Sequence, residues 1–294
     1  MRSLRTTEAA RLLGISPNTL RSWERRFGYP KPLRSSGGHR AYTYAEITAL
    51  RDALKRGLAV ESAISAVREG LGADFEALVD ALDVFNGDAG DRAMEASLAL
   101  RSMERSVEEV LLPALEEINR RAGLASTRSA FAQRFAMDWL SRAQRLTPPP
   151  NSGMGILIGD ATCAEPGLGG PRIRALELFC RRHGLAVLAL PVEATASLPE
   201  AVVAIDPLYV VIAGERASDE QVSRWAYALR RVGGRIPIAL YLRTAQSSSP
   251  SLSARSLPGA PTEAHRELTE LLADGGRVKT AAFQDEANRL TQPG

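Results

Sequence analysis

The chain has 294 residues, 45% of them hydrophobic and 24% charged, the make-up of an ordinary folded protein with room for more than one core. No apolar run approaches the roughly 20 residues that span a bilayer. The opening Met1-Arg-Ser-Leu-Arg lacks the apolar stretch of a secretion signal, and two cysteines are too few for a disulfide framework or a zinc cluster, so a cytoplasmic protein with no membrane partner and no metal is expected.

The net charge of +3 hides an asymmetry. Residues 1–70 hold 13 Lys/Arg against 6 Asp/Glu, whereas the remainder is net acidic, which suggests a polyanion partner for the first segment alone. Within it, "TTEAARLLGISPNTLRSWERRFG" (6–28) predicts two short helices and a tight turn. Thr7 is placed to cap the first, Ala9, Ala10, Leu12 and Leu13 give it a core face, and Gly14 ends it. Ser16 followed by Pro17 is a strong start signal for the second. Leu20, Trp23 and Phe27 then face inward, which leaves Asn18, Thr19, Arg21, Ser22 and Arg25 for a major groove. In "RSSGGHRAYTYAEI" (34–47), Gly37-Gly38 reverses the chain like the tip of a wing, with Arg34, His39, Arg40 and Tyr42 beside it to reach phosphates or the minor groove. Helices over Tyr44–Arg56 and Val60–Glu69 complete this small core.

These residues resemble the winged helix-turn-helix of the MerR family of transcriptional regulators. The Arg-x-Trp-Glu-Arg-Arg-Phe-Gly run (21–28) and the Gly-Gly-His-Arg-x-Tyr wing (37–42) carry the resemblance over about seventy residues. It implies a dimer on a pseudo-palindromic promoter element, often distorted, with RNA polymerase as a further partner. It puts Arg21 and Ser22 in the recognition-helix positions, and Arg40 and Tyr42 in the wing positions.

Further along, apolar residues three and four apart make 74–146 helical, a four-helix bundle broken near Asn86 and Gly123. "TPPPNSG" (147–153) reads as a stiff linker. From 153 to 243 apolar strands (Gly155–Ile158, Ala186–Leu190, Tyr209–Ala213, Pro237–Leu242) alternate with helices starting near Gly170, Ser197 and Ser218, which indicates a doubly wound parallel α/β sheet. Residues 244–294 read as a low-complexity linker, a short helix over Glu263–Ala273 and a tail. The expected domains are therefore 1–72, 74–146 and 153–243, followed by 244–294.

A MerR head, a helical bundle and an α/β domain in that order resemble the cobalamin-dependent light-sensing repressors of carotenoid synthesis. That resemblance implies a bundle Trp and a Glu-His pair over one face of the cofactor. It also implies a cobalt-ligating His in an acidic-x-His-x-x-Gly motif after the first strand of a cobalamin-binding-like, Rossmannoid domain. This chain departs from all three. The loop "DATCAEPGLGG" has no histidine, its slot falling at or beside Gly167; Ala122 stands where the Trp would be, and Ala132-Gln133 near the Glu-His pair. Cobalamin is therefore not expected as a cofactor, a base-off mode without a histidine ligand being the alternative. The module is read as degenerate, used for self-association or for another small effector.

Other chemistry on that loop is thin. Gly167 and Gly169 begin a dinucleotide fingerprint, with Glu193 as a ribose-binding acid, but Arg172 stands where the third glycine belongs. Gly167, Gly169 and Gly170 before a helix, near Arg172 and Arg174, could hold an anion, although glycines that merely turn the chain explain them as well. Asp160 and Glu165 lack a histidine partner, and Cys163 lacks an activating base, so no catalytic residues and no enzyme are expected. Phe131, Phe135 and Trp139, four apart, read as a core stripe or as one wall of a ligand cavity.

Overall fold

The computed structural model describes residues 3–34, 40–162, 167–193, 198–214, 218–232, 236–242 and 255–273. It divides into two compact units, Met1–Ala136 and Met137–Gly294.

The first unit opens with β1 (Ser3–Arg5), α1 (Thr6–Leu13), α2 (Pro17–Phe27), β2 (Leu33–Arg34), β3 (Arg40–Thr43) and α3 (Tyr44–Lys55). The strands form an antiparallel sheet in the order β1-β3-β2. Because β1 pairs with β3 up to Arg5, the chain is still extended there, and α1 starts two residues earlier than a Thr7 cap requires. Arg5 takes the capping position, its backbone N–H donating to Glu8 Oε2 at 2.9 Å, so Thr7 lies inside the helix. Gly14 closes α1 at φ 69°, a left-handed conformation that glycine adopts without a Cβ clash. Ser16 caps α2 by accepting the Thr19 N–H at 3.0 Å. Leu4, Ala9, Ala10, Leu20, Tyr42 and Ile47 form one buried cluster; Tyr29, Leu50, Ala53, Ala63 and Ile64 form another, on which Trp23 and Phe27 pack.

Helix α4 (Val60–Asp83) belongs to head and bundle at once: it runs for 24 residues without a break at 72–74, where the sequence suggests a domain boundary. The bundle continues with α5 (Gly87–Leu100), α6 (Met103–Ser106), a π-helical turn (Val107–Leu111), α7 (Leu112–Ala122) and α8 (Thr127–Arg145). The interruption at Arg101-Ser102 lies inside what reads as one helical run. Ser102 ends it by capping α6, accepting the Arg105 N–H at 3.2 Å. Pro113 accounts for the π turn: it has no N–H for the carbonyl four residues back, and the Leu112 N–H reaches Val107 instead.

The second unit contains β4 (Gly155–Asp160), α9 (Gly169–Arg182), β5 (Ala186–Pro191), α10 (Leu198–Ile205), β6 (Pro207–Ala213), α11 (Asp219–Val232), β7 (Ile238–Tyr241), β8 (Arg255–Ser256) and α12 (261–273). All its strands are parallel, in the order β5-β4-β6-β7-β8. Side chains alternate across the sheet. Ile156 and Ile158 share a core with Ile173 and Leu176 of α9 and with Ala264, Leu268 and Leu272 of α12. Leu157 faces the other way, toward Leu198 and Val202 of α10 and Trp225 of α11. Gly155 must be glycine, since a Cβ there would lie 2.5 Å from the Ile205 carbonyl oxygen.

The segment after 243 contains the expected short helix, but also a strand and part of the core. Arg255 and Ser256 extend the sheet beside β7, Leu257 is buried, and α12 covers one face, so the α/β domain reaches residue 273. Short polar strands carry little periodic signal; only their pairing reveals them. Among the described residues no helix is long and apolar enough to cross a membrane.

Candidate nucleic-acid interface

Helix α2 presents Asn18, Arg21 and Arg25 to solvent, with Ser22 half-buried between them. Thr19 is committed to the cap, its hydroxyl 2.8 Å from Ser16 Oγ. Glu24, an acid amid arginines, is the residue that sequence reasoning passed over. Its Oε2 pairs with Arg40 Nε on β3 at 3.0 Å, and its Oε1 accepts the Tyr42 hydroxyl. One carboxylate thus latches the wing strand to the recognition helix and holds Arg40, whose side chain stays 42% exposed, beside the basic face.

Tyr42 differs from the expectation of a free wing contact. It is fully buried, and burial together with Glu24 raises its phenol well above the usual range, so it acts as a brace inside the head. A tyrosine four residues past a turn looks the same in sequence whether it points out or in; the sheet's pleat decides. Arg34 stands opposite Arg40 in the β2–β3 ladder, and its side chain lies outside the described residues, as do His39 and Gly37-Gly38.

Behind the wing lies a buried ionic network. Glu46 of α3, 1% exposed, accepts the backbone N–H of Lys31 at 2.9 Å and pairs with Arg105 of α6 at 2.9 Å. Arg105 also engages both oxygens of Glu109, at 2.8 and 3.0 Å. Arg101 pairs with Asp74 of α4 at 2.7 Å and lies 3.6 Å from Glu109. Burial pushes the Glu46 carboxyl upward despite Arg105. A cleft of about 340 Å³ opens nearby between α3, α4 and α5, lined by Ala49, Asp52, Arg56, Ala66, Val67 and Leu100.

In the second unit, β4 ends at Asp160, whose Oδ1 accepts both the backbone N–H and the hydroxyl of Thr162, at 2.7 and 2.6 Å. Counted from Asp160, an acidic-x-His spacing falls on Thr162; counted from Glu165, which keeps the motif's last glycine at Gly170, it falls on Gly167. A hydroxyl already given to Asp160 does not fit the role of a cobalt-binding imidazole. Gly169 is explained by packing, since a Cβ there would meet Thr162 Cγ2 at 2.9 Å. Gly170 lies against Met137, and Gly167 has φ 129°, open chiefly to glycine. Glu193 accepts from Gln221 Nε2 at 3.2 Å, while Cys163 and Glu165 lie outside the described residues.

The aromatic stripe on α8 is occupied by packing. Phe131 meets Phe85 edge-on at 5.5 Å, Phe135 is buried against Gly90, and Trp139 is buried in the second unit. His183 and His265, far apart in sequence, stack with ring centroids 4.2 Å apart where α9 ends. Among the described residues no three His, Cys, Asp or Glu side chains gather as a metal site.

A capped recognition helix with a latched, basic wing defines the head of a DNA-binding regulator, and residues 4–65 match the family of MerR HTH regulatory proteins. The likeness extends past the head. Over 231 residues, 73% of this chain and 77% of the relative, the sequence is 30% identical to the HTH-type transcriptional repressor CarA of Myxococcus xanthus. The chain belongs to the MerR-type helix-turn-helix transcriptional regulators. It is also 28% identical over 144 residues to the repressor CarH of the same organism, covering 41% of this chain and 48% of CarH. The regulator MlrA of Escherichia coli is 49% identical over 45 residues, 15% of this chain and 18% of MlrA. These relatives are regulators, not enzymes. Among solved structures, the methanol:cobalamin methyltransferase complex MtaBC of Methanosarcina barkeri aligns at a TM-score of 0.34 and 12% identity, over 68% of this chain and 80% of that one. At that score it carries no argument about function.

Proposed function

We propose that this regulator binds a two-half-site promoter element as a dimer, placing Asn18, Arg21, Ser22 and Arg25 in the major groove and Arg34, His39 and Arg40 on the flanking backbone. The observation that carries the reading is the Glu24 latch, which aligns Arg40 of the wing with the exposed arginines of α2. Thr19 and Tyr42 support these contacts from the cap and from the core. The C-terminal modules serve self-association and set the spacing of the two heads, which brings RNA polymerase within reach as a partner. The test is selection of duplexes from a random library on the full chain, followed by footprinting. Two protected half-sites about one helical turn apart are expected. Failure to enrich any sequence, or binding indifferent to salt, would overturn the reading.

We further infer that the α/β domain works without histidine-ligated cobalamin, used instead for assembly or for another small effector. The support is a first-strand loop that carries no histidine and on which Thr162 gives its hydroxyl to Asp160. Mass spectrometry of small molecules released from the purified protein tests this together with its absorbance. Stoichiometric cobalamin with an imidazole-bound cobalt signature would count decisively against it.

A further inference from the structure

The buried charges between the head and the bundle are costly for what they hold. Two helices can be fastened by apolar side chains at least as well, because desolvating an ion pair offsets much of its attraction. What ions add is geometry. The Glu46 carboxylate lies between two parts of the molecule: one oxygen holds the Lys31 N–H, the other faces Arg105. Lys31 belongs to the strap between α2 and β2, so Glu46 fixes the path from recognition helix to wing. Arg105 belongs to the bundle and is gripped from its far side by Glu109, which rides on the π-helical turn. Asp74 and Arg101 extend the chain of charges to α4, the helix that head and bundle share. A π turn differs from an α turn by one residue of register, and such turns recur where helices do functional work.

We propose that the Glu46–Arg105 pair is a coupling clasp, through which the packing of the bundle sets the position of the wing and so the affinity for DNA. This rests on the DNA-binding reading above. A ligand or second copy that repacks the bundle around 107–111 turns Glu109, releases Arg105 and frees the Lys31 strap. DNA binding tightens the bundle by the same factor, because coupling between two binding events is reciprocal.

The test uses the full chain as wild type, Arg105→Met, Glu46→Gln and the double variant. Arg105→Met takes away the cation that faces the buried Glu46 and lowers the melting temperature more than Glu46→Gln, which leaves Arg105 its pair with Glu109; the double change removes both charges of the clasp and restores it toward wild type. In the double variant, the amides of Tyr29, Lys31, Leu33, Arg34 and residues 40–43 should exchange with solvent about tenfold faster, with those of 114–122 unchanged. Affinity for the selected duplex should fall by roughly tenfold, within the range usual for coupled sites. A double variant that melts, exchanges and binds like wild type would overturn the clasp. Should that variant not fold, Arg105→Lys, which keeps the charge but not the two-pronged grip on Glu109, is expected to speed exchange in the same strap; unchanged exchange would overturn the clasp equally. If the wild-type chain enriches no duplex, the DNA-binding reading falls, and the exchange result alone decides the clasp.

Discussion

Glu24, Tyr42 and Arg40 act together: the carboxylate accepts from the other two, and the tyrosine ring anchors the group in the head's core. Tyr42→Phe keeps the ring and removes the donor, so the full chain should lose about 1–2 kcal/mol by thermal melting and bind its operator more weakly, because Arg40 is then less firmly placed. Glu177 of α9 poses a different problem. It is 3% exposed, with Arg174 Nη1 at 2.9 Å and Gln144 Nε2 at 3.2 Å, and burial still pushes its carboxyl above the ordinary range. The folded chain therefore keeps this proton where the unfolded chain has released it. Stability contributed by Glu177 is full below the ordinary glutamate pKa and is lost as pH rises through the raised value. Glu177→Gln should remove that downward slope, by up to about 1.4 kcal/mol per pH unit, in urea melts taken across this interval. An unchanged slope would contradict the assignment.

At the scale of elements, turn chemistry at Gly14, Ser16 and Pro17 was legible because each acts through its own backbone. The cap of α1 was not, since the pairing of β1 with β3 fixes where the helix can begin. The break at Ser102 and the π turn before Pro113 hid inside one apolar period. The last helix was legible, but not its place in the core: Leu268 is fully buried against the sheet. Leu268→Ala should destabilise the α/β domain by about 2–5 kcal/mol, read as a lower urea midpoint. A change under 0.5 kcal/mol would show that α12 is not part of that core.

For the whole molecule, the basic balance of residues 1–70 against an acidic remainder makes DNA affinity an electrostatic matter. Log affinity should fall linearly with log salt, with a slope near −0.9 per phosphate contacted. Arg40→Ala removes one such contact from each head, so a dimer should lose about 2 from the magnitude of the slope and a single bound head about 1. Fluorescence anisotropy at four or five salt concentrations separates the two.

By itself the sequence determined the helix-turn-helix head, the four main parallel strands and their helices, and the lack of a histidine on the first-strand loop. Each of these is written locally, in caps, in period-2 or period-3.6 patterns, or in the identity of one residue. Only the tertiary structure decided the Glu24 latch, the Glu46–Arg105 network, and α12 as part of the sheet's core. These join residues from 15 to more than 100 positions apart, or depend on which face of a strand a side chain takes. Such contacts leave no periodic trace, because their geometry exists only once the chain has packed.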